Sequence, residues 1–349
     1  MSKITDLIHV RPDGSVKLGN KVACDGGLIP TEDFHIVTHA HKDHYKEPKI
    51  LETWRQFDKK IYLTDLTMQL VDVYGLSIVD SHGKRRVLEF NEPHVDGDIS
   101  IKLLENGHIL GSAQVEVIED NVGRFGYSGD FCSQAEETIN VDYLVLDATY
   151  SGNTQNKTWS EEKCIEELVE RVKEAQQKGP VNILAVPGLL QEVLFHIGEK
   201  GFWDQVPHVL GDKVTKHWSK IYNQEGLEQP NILIKGTAEA LEESLKPNRI
   251  SISHKRNPRI VPKGTTFKIS HFGAQNTSPI VQSADNENLY TVALTSHATG
   301  DDVMSYVERV DPKLVITDAV RNPSSAVTLK QNIETRLNVD VMTSAEINL

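Results

Sequence analysis

The chain has 349 residues, 38% of them hydrophobic and 25% charged, so it can bury one large core or two medium ones, with little long disorder. Its formal net charge of −13 excludes a surface that attracts nucleic acid everywhere, because Lys and Arg must replace the phosphate counterions. No stretch approaches the ~20 apolar residues of a membrane span, and we expect no membrane partner.

The first part of the chain alternates short apolar runs with turn residues, which is typical of strands. Strands are predicted at residues 7–10, 15–18, 21–24, 34–38, 59–63, 86–88, 99–104, 113–118, 124–127 and 141–146, and a helix at 66–74. The strand at 141–146 is apolar apart from Asp142, the type that is buried on both faces of a sheet.

From residue 159 the pattern becomes helical, with Ile165, Leu168 and Val172 at spacings of three and four. A strand at 181–186 and a helix at 189–197 follow, joined by a Pro-Gly turn. Later strands are predicted at 231–234, 249–253, 265–269, 290–294, 314–317 and 339–342, and helices at 238–245, 301–310 and 325–337. This alternation predicts an α/β fold class.

The segment HAHKDH, from His39 to His44, places four side chains of metal-ligand type within six positions. Residues two apart on an extended segment point the same way, so His39 and His41 can hold one metal ion. Asp43 and His44, which follow on the next turn, can then bind a second ion. Imidazole nitrogens and carboxylate oxygens suit zinc, and such sites keep positions open for water.

HAHKDH after a short apolar strand resembles the HxHxDH motif of the metallo-β-lactamase superfamily. His108 in NGHILGSA and Asp130 in YSGDF follow in the order of that superfamily's later ligands, and Asp25 is similar to the aspartate that orients its ligand loop. The ligands implied for the first ion are His39, His41, His108 and Asp130, and those for the second are Asp43, His44 and Asp130.

Asp147 in VLDATYSG and His297 in LTSHATGDD resemble motifs A and B of the β-CASP nucleases of this superfamily. The resemblance implies an αββα sandwich over residues 1–150 and 290–349, with an inserted α/β, β-CASP-like domain over 151–289. It places Asp43, Asp147 and His297 in catalysis. His297 would contact the scissile phosphate or protonate the leaving oxygen, and Asp147 would orient a metal-ligand histidine.

One position departs from the family pattern. RNA-processing members carry a motif C histidine after a late strand, whereas here the strand at 314–317 leads into Asp318-Ala-Val-Arg-Asn. Asp318 is either a substitute oxygen ligand or no ligand. Artemis-like DNA nucleases also lack this histidine, and Tyr45 and the context of Asp147 are similar to theirs, while the context of His108 is closer to RNA-processing members. Taken together, these features favour DNA slightly over RNA as the substrate.

These features predict a nuclease that hydrolyses phosphodiester bonds with two zinc ions, or manganese, and a metal-activated hydroxide. Exonuclease and endonuclease cutting both remain open, as do protein partners in a DNA- or RNA-processing complex. One alternative is a hydrolase of the same fold that acts on a small ester, thioester or lactam. Another is a non-catalytic subunit of a nucleic-acid-processing complex.

Two further patterns concern the substrate and the compartment. Between Lys246 and Lys268 there are seven positive charges and no Asp or Glu, which predicts a phosphate contact in this acidic chain. The candidates at its centre are Lys255, Arg256, Arg259 and Lys263, and the alternative is a solvated loop. The three cysteines contain no CxxC pair, which favours a reducing cytoplasm.

Overall fold

A computed structural model of the chain describes residues 4–26, 32–45, 60–74, 85–132, 135, 137–150, 159–254, 264–270 and 278–347. The chain divides into two compact units, Met1–Thr154 with Ser296–Leu349, and Gln155–Thr295. The boundaries predicted from sequence, 150/151 and 289/290, lie four and six residues before these. The identity of the second unit as a β-CASP-like domain stays a prediction here.

Two sheets form the frame of the first unit. The six-stranded sheet runs in chain order through β1 (Ile8–Val10), β2 (Val16–Leu18), β3 (Val22–Cys24), β4 (Phe34–Ile36), β5 (Lys60–Leu63) and β6 (Arg85–Val87). The seven-stranded sheet contains β7 (His94–Asp96), β8 (Ile99–Glu105), β9 (Ala113–Glu119), β10 (Gly123–Tyr127), β11 (Tyr143–Leu146), β19 (Leu314–Thr317) and β20 (Asp340–Thr343). Its order is β20-β19-β11-β10-β9-β8-β7.

The two sheets share one apolar core because alternate strand residues point to the same face. Its members include Ile8, Val16, Val22 and Ile36 from the first sheet and Ile101, Val115, Phe125 and Val145 from the second. A second cluster packs α8 (Gly300–Val310) and α9 (Pro323–Arg336) on the seven-stranded sheet through Val303, Val307, Leu329 and Ile333. The short helices α1 (Ile4–Leu7), α2 (Lys42–Tyr45), α3 (Asp65–Asp72) and α10 (Ser344–Ile347) complete the described part of this unit.

The second unit is built on another seven-stranded sheet. Its strands are β12 (Val181–Leu184), β13 (His208–Gly211), β14 (Asn231–Ile234), β15 (Ile250–Ser253), β16 (Thr265–Ile269), β17 (Ile280–Gln282) and β18 (Leu289–Val292), in the order β14-β13-β15-β12-β16-β18-β17. All neighbours are parallel except β17, which runs antiparallel to β18. Its helices are α4 (Glu161–Lys178), α5 (Leu189–Glu199), α6 (Lys213–Gln224) and α7 (Leu241–Leu245). The predicted α/β class is confirmed.

Most strands and helices lie close to the positions that the sequence predicts, and the exceptions have physical reasons. α4 begins after Ser160, whose hydroxyl accepts the N–H of Lys163, and the predicted apolar stripe is its buried face. The helix predicted at 238–245 begins only at Leu241, because the preceding residues form tight turns. The sequence patterns do not predict α6, whose buried stripe of Trp218, Ile221 and Tyr222 lies among polar residues. They also do not predict the short helices α1, α2 and α10 or the short strands β7, β13 and β17.

The structure also bears on the cysteines, on membrane-spanning helices and on the basic candidate residues. Cys24, Cys132 and Cys164 are all buried. In the described ranges, the helices are too short or too polar for a membrane crossing. The candidate phosphate contacts Lys255, Arg256, Arg259 and Lys263 lie outside the described residues.

Candidate metal centre

The candidate ligands lie in loops that follow strands of the first unit. β8, β10, β11 and β19 all run in the same direction, because β9 is antiparallel to both β8 and β10 while β10, β11 and β19 are parallel. The loops after them therefore reach the same edge of the sheet. Those loops carry His108, Asp130, Asp147 and Asp318, and the loop after β4 carries His39 and His41.

Three imidazole nitrogens and a carboxylate converge at this edge. His41 Nδ1 lies 3.1 Å from His39 Nε2 and 3.1 Å from His108 Nε2. Asp130 Oδ2 lies 3.8 Å from Nε2 of His39 and 3.8 Å from Nε2 of His108. Ligand atoms ~2.0–2.1 Å from a tetrahedral ion are ~3.3–3.4 Å apart, so this donor set fits one divalent ion.

The protonation of the two buried rings also suits a metal. Burial lowers the pKa of His39 and His108 well below the usual range, so both rings are neutral, as metal coordination requires. His108 Nδ1 donates to the Ser296 carbonyl oxygen at 2.8 Å, which leaves Nε2 as the lone-pair nitrogen. Metal-ligating histidines are commonly oriented in this way through their other ring nitrogen.

Asp25 holds the loop that carries the histidines. Its carboxylate accepts the backbone N–H and the hydroxyl of Thr38, both at 2.8 Å, and His44 Nδ1 at 2.7 Å. Because the Thr38 hydroxyl donates to Asp25, its oxygen is left to accept from His39 Nδ1 at 3.1 Å. Asp25 is fully buried and lies in the left-handed region with φ of 54°, which Asp tolerates better than most residues.

Asp147 and His297 form a pair beside the four ligands. His297 Nδ1 lies 2.9 Å from Asp147 Oδ2, and the N–H and hydroxyl of Thr149 fix Asp147 Oδ1 at 2.8 and 2.6 Å. Burial opposes the charged ring, but Asp147 outweighs it and raises the pKa of His297. Asp147 was expected to orient a metal-ligand histidine, and the ring that it holds is that of His297.

The residues predicted for a second ion are not assembled in the same way. Within the described ranges, the groups of metal-ligand type that lie within 4.8 Å of one another include neither Asp43 nor Asp318. The Asp43 side chain is 63% exposed. Asp318 is buried and accepts the backbone N–H of Val320 at 2.8 Å, and burial raises its pKa to about 6. His44 belongs to a group with Asp25 and His39 instead.

The sequence reading missed Asn106, which ties two ligand loops together. Its Nδ2 donates to the carbonyl oxygens of Ser128 and Asp130 at 2.9 and 2.8 Å. Its Oδ1 accepts the N–H of His108 at 3.2 Å and the Ser112 hydroxyl at 2.6 Å. The asparagine of NGHILGSA was the available signal, since a buried amide next to a ligand needs partners.

Asn106→Ala is expected to destabilise the fold by about 2–4 kcal/mol, because it leaves several buried groups unsatisfied at ~1–3 kcal/mol each. Metal affinity should fall ~10–100-fold, the usual cost of losing a group that orients ligands. Denaturant unfolding and a metal titration measure the two effects. Asn140→Ala is the control, since Asn140 is exposed; equal effects in both variants would contradict this role for Asn106.

Arg321 is the second residue that the sequence reading left without a role. Its Nη1 lies 3.0 Å from Asp130 Oδ1 and 2.8 Å from Asp130 Oδ2. Burial disfavours the negative charge of Asp130, but the neighbouring Arg321 and His44 outweigh this and hold the pKa of Asp130 well below its usual range. Asp130 is therefore a carboxylate, as a ligand must be.

Comparisons with known proteins find several chains that are similar to this one. No family model matches the chain. It is 31% identical over 122 residues to an uncharacterized protein in the lig 3′ region of Acidianus ambivalens, covering 34% of this chain and 84% of that protein. Two proteins of Methanocaldococcus jannaschii also match: probable RNase MJ4, 24% identical over 228 residues, with 56% of this chain and 52% of that protein covered, and an RNase J-like protein, 28% identical over 209 residues, with 53% and 49% covered.

The chain spans about half the length of these two RNase-named relatives. A crystal structure of a protein of unknown function from Enterococcus faecalis V583 has a TM-score of 0.56 and 11% identity, covering 89% of this chain and 91% of that chain. At that identity the likeness shows the fold alone. The resemblance seen in HAHKDH and the later motifs agrees with these RNase-named relatives, and together they support the similarity of this chain to the β-CASP nucleases of the metallo-β-lactamase superfamily.

Proposed function

We propose that this protein hydrolyses phosphodiester bonds in nucleic acid with a divalent metal ion held by His39, His41, His108 and Asp130. The convergence of these four donors is the observation that carries the proposal, and burial, which lowers the pKa of His39 and His108, favours their neutral form. A divalent ion bound there supplies a water of lowered pKa and stabilises negative charge on phosphate oxygens. The donor set suits zinc, and manganese is the second candidate.

The chain's own contribution to the reaction lies in the His297–Asp147 pair. Asp147 holds the Nδ1 side of the ring, and His297 Nε2 lies 3.9 Å from Asp130 Oδ2, so it faces the ligands. The raised pKa of His297 favours a proton on that nitrogen. We assign His297 to protonation of the leaving oxygen and Asp147 to positioning its ring.

The names of the relatives support nucleic acid as the substrate class. Two are described as a probable RNase and an RNase J-like protein, which favours RNA. The absence of a histidine after β19 and the identity of Tyr45 favour DNA. The preference for DNA therefore stays a prediction, and RNA is the second candidate. Lys255, Arg256, Arg259 and Lys263 stay the predicted phosphate contacts, and a cytoplasmic location stays a proposal from the cysteine pattern.

Each of the two alternative functions leaves a different feature of the chain without a role. A hydrolase of a small ester, thioester or lactam would use the same donors, but it gives no role to the acid-free basic stretch. A non-catalytic subunit would need neither the complete donor set nor the His297–Asp147 pair. The intact set supports an enzyme over a scaffold.

We expect the purified protein, loaded with zinc or manganese, to cut end-labelled nucleic acid and to leave a chromogenic lactam intact. Matched single- and double-stranded DNA and RNA should be compared, with Asp130→Ala and a chelator as inactive controls. DNA should be cut faster than the matched RNA. Faster cutting of RNA would reverse the substrate preference, and turnover of the lactam without nucleic-acid cutting would replace the proposed function.

A further inference from the structure

The turn after β19 is held rigidly and carries Arg321 towards the ligands. Asp318 N–H donates to the Leu146 carbonyl oxygen at 3.0 Å, and Ala319 N–H donates to the Ser344 hydroxyl at 2.9 Å. On the far side of the turn, Asn322 caps α9 and its Nδ2 donates to the Thr149 carbonyl oxygen at 2.8 Å. Backbone and side-chain bonds therefore fix both ends of the segment on which Arg321 lies.

The guanidinium lies between the two carboxylates that a second metal ion would need. Arg321 Nη1 is 2.8 and 3.0 Å from the Asp130 oxygens and 3.6 Å from Asp43 Oδ2. The Asp130 side chain is only 6% exposed, so this charge pair is shielded from water and weakly screened. The permanent positive charge of Arg321 therefore lies at short range from both carboxylates.

His44 is the remaining ligand predicted for that ion, and it shares Asp130 with Arg321. Its Nδ1 lies 2.7 Å from Asp25 Oδ2 and its Nε2 lies 3.1 Å from Asp130 Oδ2. Asp25 holds Nδ1, and Nε2 lies against the same Asp130 oxygen that the Arg321 guanidinium contacts at 2.8 Å, so the fixed positive charge lies beside the nitrogen that would bind the second ion. The residues present therefore fit one divalent ion, and those predicted for a second ion do not fit it.

We propose that the Arg321 guanidinium takes the place of a second metal ion, so that this centre binds a single divalent ion. A guanidinium cannot lose its proton at working pH, and it repels a divalent cation that approaches Asp130 and Asp43. The first ion keeps its three histidines and Asp130. This inference rests on the proposed function only for the role that follows: the fixed charge of Arg321 stabilises the phosphate where a second ion would otherwise do so.

Metal counting on the full chain tests the proposal without any substrate. After zinc loading and dialysis, native mass spectrometry and elemental analysis should find one equivalent in the wild type and in Arg321→Lys. Arg321→Ala should bind a second equivalent, and Asp43→Asn added to Arg321→Ala should remove it again. Asp43→Asn alone should leave the count at one. Arg336→Ala, which removes an exposed arginine paired with Asp301, is the matched control.

Two results would overturn the proposal. Two tightly held equivalents in the wild type would show that Arg321 gives way to a second ion. One equivalent in folded Arg321→Ala, at zinc concentrations where the wild type is saturated, would show that something else excludes it. If Arg321→Ala does not fold, the wild-type count and the effect of Asp43→Asn alone still decide. A protein with one metal and no activity on DNA or RNA would contradict the proposed function and leave this inference intact.

Discussion

His41→Ala is expected to lose its bound metal and to slow hydrolysis by more than about 100-fold, since even a partner one step from the ion contributes ~10–100-fold to affinity or activity. His41 Nδ1 lies 3.1 Å from both other histidine nitrogens, so its removal opens the donor set. The ring is only partly buried, and the fold should survive. Elemental analysis and initial rates on labelled nucleic acid measure the two effects.

The control for His41→Ala is His196→Ala, a histidine on the exposed face of α5 in the other unit. That variant should keep the wild-type metal content, rate and melting temperature. Retention of metal and normal turnover by His41→Ala would remove His41 from the ligand set. It would also weaken the assignment of His39 and His108, because their nitrogens converge on His41.

His297→Ala is expected to keep its metal and lose rate by ~10²–10⁴-fold, the range typical of a general acid or base. The ring is held by Asp147 at 2.9 Å and lies beside the four ligands rather than among them. Metal content and rate should therefore separate in this variant. Asp147→Asn should also keep its metal and lose part of the rate, because the ring remains but the carboxylate that orients it is gone.

The same measurements on His217→Ala, an exposed histidine of α6, give the baseline. A loss of metal in proportion to the loss of rate in His297→Ala would make His297 a ligand. Asp130, Asp147 and His297 do lie within ligand distance of one another, so that outcome has a structural basis. A normal rate in Asp147→Asn would remove Asp147 from the positioning of the ring.

The sequence by itself determined the parts that depend on local spacing. HAHKDH after an apolar strand predicts His39 and His41 as metal ligands because residues two apart on extended backbone share a face. Strand alternation and helical spacing likewise placed most elements to within a few residues. The candidate ligands His108 and Asp130 came from the resemblance of their motifs to those of the metallo-β-lactamase superfamily. The α/β class followed from the same patterns.

Only the tertiary structure decided which side chains meet across loops. Asp147 and His297 are 150 residues apart, and Asp130 and Arg321 are 191 apart. At such separations no periodicity links the residues. The Asp130–Arg321 pair depends on β10, β11 and β19 lying parallel so that their loops end at one edge. For the same reason no local pattern names the partners of Asn106 or of Arg321, although Asn106 hydrogen-bonds to both ligand loops and Arg321 contacts the carboxylates predicted for a second ion.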